Sequence, residues 1–175
     1  MTVAPIGALA SHAPRSVVGD ALAAGAAGAV LSAAPSTVAT IATGGSLLDG
    51  ALAAGSILLP REQRAAPLLA ASVPVHLALS FGWATILAAA LPRRATVPAA
   101  VAGALGIAAL DLGVIARRFP RIQALPQGRQ WADHVAYGLA IGVVVARRRA
   151  ARERCGARRV RLAARAAVAC ALHAA

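Results

Sequence analysis

The chain has 175 residues and a formal net charge of +12, and 59% of it is hydrophobic with only 3% aromatic. Soluble domains hold roughly 45–50% apolar residues, and a globular core of this size cannot hide such an excess, so the composition excludes an ordinary soluble domain. All 18 basic residues are arginine and nine of them follow residue 146; the positive charge is therefore a property of the tail, and a nucleic-acid-binding domain is not expected.

In chain order the first apolar run is 17–34, interrupted by Asp20 and followed by Pro35. Arg15, the run and the small residues at 32–34 loosely fit a cleavable signal, but Asp20 inside the run and Pro35 after it speak against cleavage. The next segment, 46–59, opens on Ser46 and Asp49 in a Ser-x-x-Asp capping pattern and is too short to cross a bilayer. It is expected as an interfacial or re-entrant helix. Runs 66–91 and 95–116 are long enough for a hydrocarbon core about 30 Å thick, at about 1.5 Å rise per residue. A fourth run, 131–146, is shorter, and the arginine-rich stretch 147–175 completes the chain.

The expected fold is thus all-α: a bundle of four transmembrane helices over 1–146 with a short extra helix, then a basic tail. Four crossings with both ends cytoplasmic place twelve arginines inside and six outside, the distribution favoured by the positive-inside rule. A five-crossing arrangement gives eleven and seven, so arginine counting leaves four or five open while placing the C-terminus in the cytoplasm of a multi-pass cell-membrane protein.

Polar residues inside such runs are the candidates for chemistry, because each must find a partner or face the protein interior. The stretch "VHLALSFGW" carries His76 at mid-span, and Ser72, His76, Ser80 and Trp83 share one helical face. Pro74 in the same helix removes a backbone donor and bends it. Asp111, Asp133 and His134 fall in the same outer half of the bilayer as His76, whereas Asp20 belongs to the cytoplasmic half. Together Ser72, His76, Ser80, Trp83, Asp111, Asp133 and His134 outline a candidate polar cavity. The plainer reading pairs Asp111 with Arg118 on its own helix and leaves His76 neutral, bonded to Ser72 or Ser80.

Two stripes of small residues, Ala102, Gly106, Ala109 and Gly113 on one run and His134, Gly138 and Gly142 on another, are expected to dock together. In the tail, Arg147, Arg148, Arg149, Arg152, Arg158 and Arg159 are expected to meet anionic lipid headgroups. Cys155 and Cys170 form no Cys-x-x-Cys motif, no lysine is present for a phosphate loop, and His76 with Asp133 and His134 lacks metal-ligand spacing. No cofactor, metal or enzymatic activity is expected. A membrane hydrolase built on Ser72 or Ser80 with His76 has only helical proximity behind it.

The segments "AAPSTVATIATGGSLLDGALAAGSILLP", "VHLALSFGW" and "LDLGVIARRFPRIQALPQGRQWADHVAYGLAIGVV" resemble a family of small, functionally uncharacterised membrane proteins from high-GC, actinobacterial-type bacteria. The resemblance covers about 19–145 and implies membrane class and little more. Two functions follow as expectations. One is a structural or interaction component of the membrane, with lipids, a second copy or a membrane complex as partners and no nucleic acid. The other is a small proton-linked transporter or conduit around His76 and Asp111.

Overall fold

A computed structural model describes residues 13–173, all helix and connections with no strand among them. Residues 1–12 and 174–175 lie outside the described residues, and with them any processing at the extreme N-terminus. The helices are α1 (Ala13–Leu31), α2 (Ala34–Thr43), α3 (Asp49–Gly55), α4 (Ala65–Ala90), α5 (Thr96–Leu110), α6 (Pro120–Gln123) and α7 (Gln127–His173). Three helical segments are long and apolar enough to cross a membrane: Ser16–Thr43, Ala65–Ala90 and Thr96–Arg118.

The first of these differs from the expected 17–34. Pro35 does not end the helix there; it stands in the first turn of α2, where its missing N–H and fixed φ are tolerated. One apolar segment of 28 residues therefore runs through a break at 32–33. Gly44 ends α2 in the left-handed conformation, φ 70°. The short helix is also narrower than 46–59. Ser46 Oγ accepts the N–H of Leu48 in a local turn, so α3 starts only at Asp49. It ends where Gly55 lies directly on the backbone of Leu68 in α4, a contact that leaves no room for a side chain.

Pro74 sits inside α4 without ending it, and Leu91, extended before Pro92, closes the helix as expected of a residue preceding proline. α5 runs on into a π-type turn, Asp111–Ile115, and a 3₁₀ turn, Ala116–Arg118. α7 is one helix of 47 residues, so the expected fourth run and the basic tail are continuous.

α7 is central. It packs on α5 most extensively, then on α1 and α2, while α4 packs on α1 from the other side and carries α3. The core where they meet combines six alanines, Ala21, Ala24, Ala84, Ala88, Ala100 and Ala104, with Leu87, Leu91, Ile107, Tyr137, Ile141 and Val145. Many other large apolar side chains face outward, among them Val30, Val73, Ile86, Val114 and Leu139. Alanines at the helix contacts with bulky apolar residues on the outside is a distribution that close helix packing in lipid favours.

Candidate functional site

The break between α1 and α2 is the first place where polar side chains gather. An ending helix leaves its last carbonyls without N–H partners, and a starting one leaves its first N–H groups over. Here both ends are served from other helices. The Nε2 of His76, on α4, donates to the carbonyl of Ala29 at 2.8 Å, and Oδ1 of Asp133, on α7, accepts the N–H of Ser36 at 2.9 Å. The hydroxyl of Ser36 returns to the carbonyl of Ala33 at 3.1 Å. Beyond the break Arg129 donates to the hydroxyls of Thr40 and Thr43 at 3.2 and 3.1 Å, tying α2 to the start of α7.

The second gathering joins α5 to α7. Nδ1 of His134 donates to the carbonyl of Gln130 at 2.8 Å, and its Nε2 lies 3.5 Å from Oδ2 of Asp111. Both ring nitrogens face acceptors, so the pair is fully bonded only when it holds one proton beyond the neutral imidazole. The partner of Asp111 is thus a histidine on another helix and not Arg118 of its own, because the π-type turn that begins at Asp111 interrupts the helical spacing on which that pairing depended.

The third gathering lies at the opposite end of the bundle. Asp20 is 3% exposed. It accepts from Nε of Arg148 at 2.9 Å and from the two terminal nitrogens of Arg152 at 2.7 and 2.6 Å. Between them Arg149 turns to the end of α4 and donates to the carbonyls of Ala88, Leu91 and Pro92 at 3.0–3.2 Å, as cations near a helix C-terminus do. Three of the arginines expected at lipid headgroups, Arg148, Arg149 and Arg152, are therefore bonded to the protein. Arg147, Arg158 and Arg159 are exposed.

The residues grouped as one cavity are distributed over separate contacts. Ser72 and Ser80 are buried, Trp83 is half-buried, and His76 between them is exposed at the edge of the α1–α4 seam. The hydroxyl of Ser72 bonds the carbonyl of Leu69, and the carbonyl of Ser80 accepts the phenol of Tyr137, at 2.5 Å. The indole Nε1 of Trp83 is buried without a hydrogen-bond partner. Two surface hollows, one along Leu58, Leu59, Pro60, Arg61 and Glu62 and one along Ala78, Leu79, Gly82, Trp83 and Ile86, include neither His76 nor Asp111, Asp133 or His134. No cluster of three or more potential metal ligands occurs among the described residues.

Of the two small-residue stripes, Gly138 and Gly142 do meet α5, but on a different face. A Cβ at Gly138 would stand 2.8 Å from the Cα of Val101 and one at Gly142 2.8 Å from that of Val97. Ala100 and Ala104 complete that face, whereas Ala102, Gly106 and Ala109 point outward and a Cβ at Gly106 or Gly113 would meet nothing.

At the start of α4, Glu62 accepts from the guanidinium of Arg64 at 2.9 and 3.1 Å, and from the N–H groups of Arg64 and Gln63. The arginine, then these N–H groups, hold its carboxyl down at about 2.

Sequence reasoning missed Pro35 as a restart, Ser36 as the donor to Asp133, Arg149 as a cap and Tyr137 as the partner of Ser80. Pro35 could have been found from its position: the apolar residues Val38, Ala39 and Ile41 follow it at helical density. The others bond backbone atoms far away in the chain, which leaves no local signature. No family model, curated protein or solved structure matches this chain.

Proposed function

We propose that the protein is a structural or interaction component of a membrane, a four-pass bundle in which α7 supplies the fourth crossing and its basic extension lies in the cytoplasm. One observation carries this reading. The ionisable groups of the apolar helices are engaged by this chain's own atoms: His76 by Ala29, Asp133 by Ser36, His134 and Asp111 by each other, Asp20 by two arginines. Groups engaged in this way hold a fold together and leave little free for a solute. The fourth crossing is supported by the packing of α7 between α1 and α5, and the cytoplasmic tail by the arginine distribution. The outward face of Ala102, Gly106 and Ala109 supports a further helix, from a second copy or another membrane protein, as the neighbour.

The proton-linked reading is favoured by one feature, the approach of His134 Nε2 to the Asp111 carboxylate at 3.5 Å. It is opposed by the separate placement of His76. Proteoliposomes made with wild type, His76→Ala and Asp111→Asn decide between the two. The structural reading expects no pH-driven flux in any of them and lowered thermal stability in His76→Ala. A wild-type flux abolished by Asp111→Asn in a folded protein would replace it with the conduit.

A further inference from the structure

The arginines beyond the bundle separate into two sets that the sequence does not distinguish. Arg148, Arg149 and Arg152 are consumed by Asp20 and the end of α4. Arg147, Arg154, Arg158, Arg159 and Arg161 have no hydrogen-bond or ion-pair partner among the described residues, and every residue from 151 to 164 is exposed. Four of them, Arg147, Arg154, Arg158 and Arg161, are separated by seven, four and three residues, and Arg159 stands off their line. At about 100° per residue the four fall within roughly 60° of one another around α7, on a straight stripe that continues the outward-facing side of the helix, below Val143. Such spacing is that of a helix seam meeting a second rod.

We propose that this stripe is a docking rail for an acidic helix of a partner protein, with Arg147, Arg154, Arg158 and Arg161 facing its carboxylates.

Three observations choose this occupant over other polyanions. First, α7 is uninterrupted and its exit is fixed by the Asp20 clamp, so Arg158 and Arg161 stand about 15 and 20 Å beyond Arg148. A leaflet at the level of the clamp is screened over about 8 Å at physiological ionic strength. Second, the only large apolar residues of the described extension, Val160 and Leu162, are two positions apart and so about 160° apart around the helix. A helix that lies on lipid needs them on one side. Third, a helix in a nucleic-acid groove has phosphates along both flanks, whereas here four of the five unpartnered arginines lie on one stripe, with Glu153, Ala157 and Val160 along one flank and Arg159 alone of the five on the other. A single acidic rod matches one narrow line of cations. The rail lies outside the apolar helices, and its test is independent of whether the bundle conducts protons.

The experiment uses the full chain in zwitterionic nanodiscs. The probe is a synthetic alanine-based helix with glutamates at the seven-four-three spacing, compared with a peptide of equal composition whose glutamates are spread around the helix. The patterned peptide should bind about tenfold more tightly, the sum of a few exposed ion pairs, and the advantage should shrink at high salt. The triple variant R154Q/R158Q/R161Q should lose it, while R159Q, off the stripe, should keep it. Circular dichroism on each variant confirms that α7 remains helical; a triple variant that keeps its helix and its preference for the patterned peptide overturns the rail. Equal binding of the two peptides, an R159Q loss as large as the triple variant's, or tighter capture of phosphatidylserine vesicles or of a DNA duplex than of the patterned peptide also overturns it.

Discussion

A carboxylate that is 3% exposed must be compensated, and Asp20 is compensated twice, by Arg148 and by a two-pronged contact with Arg152. The two arginines are 44% and 41% exposed, so they can return to water when the carboxylate is removed. Asp20→Asn is therefore expected to cost about 1–3 kcal/mol, and removing both arginines together about 3–5 kcal/mol, because only the second leaves a charge buried and unpaired. Thermal unfolding in micelles should rank the variants in that order; the reverse ranking would refute this account. Glu62 offers a second test outside the apolar helices. Its folded value of about 2 lies below the ordinary 4.5, so its contribution is present above pH 4.5 and fades as pH falls toward 2. A titration of the Glu62 carboxyl followed by NMR should find that low midpoint, and Arg64→Gln should move it upward. The partners of Asp20 were not legible from the sequence. Asp20 stood out as an anomaly in an apolar run, but its partners lie 128 and 132 positions away, and no local spacing selects Arg148 and Arg152 from nine arginines.

At the scale of helices, legibility followed continuity. α4 came through nearly to the residue because an unbroken apolar run ends at a Leu-Pro pair, and the start of α5 likewise. The first segment was drawn too short, as 17–34, because the apolar run beyond Pro35 was not counted with it, although a proline in the first turn of a helix costs that helix no hydrogen bond. The faces were harder than the extents. Both stripes on α5 are rich in small residues, so composition does not choose between Val97, Ala100, Val101 and Ala104 and the outward Ala102, Gly106 and Ala109; the geometry of α7 does. This yields a prediction of opposite signs for the same substitution. Gly138→Ala places a methyl 2.8 Å from the Cα of Val101 and should destabilise by about 1–3 kcal/mol through overpacking. Gly106→Ala, in a helix interior with open space around it, should stabilise by up to about 1 kcal/mol through helix propensity. Unfolding midpoints for the two single variants, measured side by side, check both signs.

Across the whole molecule, three contacts bind the ends of the bundle: Arg129 to α2 and Asp133 to Ser36 at one end, the Asp20 clamp at the other. The proposed topology puts them on opposite sides of the membrane. Cysteines introduced at Arg93 and Ala124 should label from the cytoplasmic and the outer side respectively, with the native Cys155 on the same side as residue 93; labelling of Cys155 from outside would invert the arrangement. The uninterrupted helix α7 makes these ends mechanically dependent on each other. With Arg148 held by Asp20 as a fulcrum, Asp133 lies about 22 Å to one side along the axis and Arg161 about 20 Å to the other, two arms of nearly equal length. A sideways push on the arm that carries Arg161 then moves the arm that carries Asp133 the opposite way, and its point of application is the backbone N–H of Ser36, where the first long apolar segment is already divided.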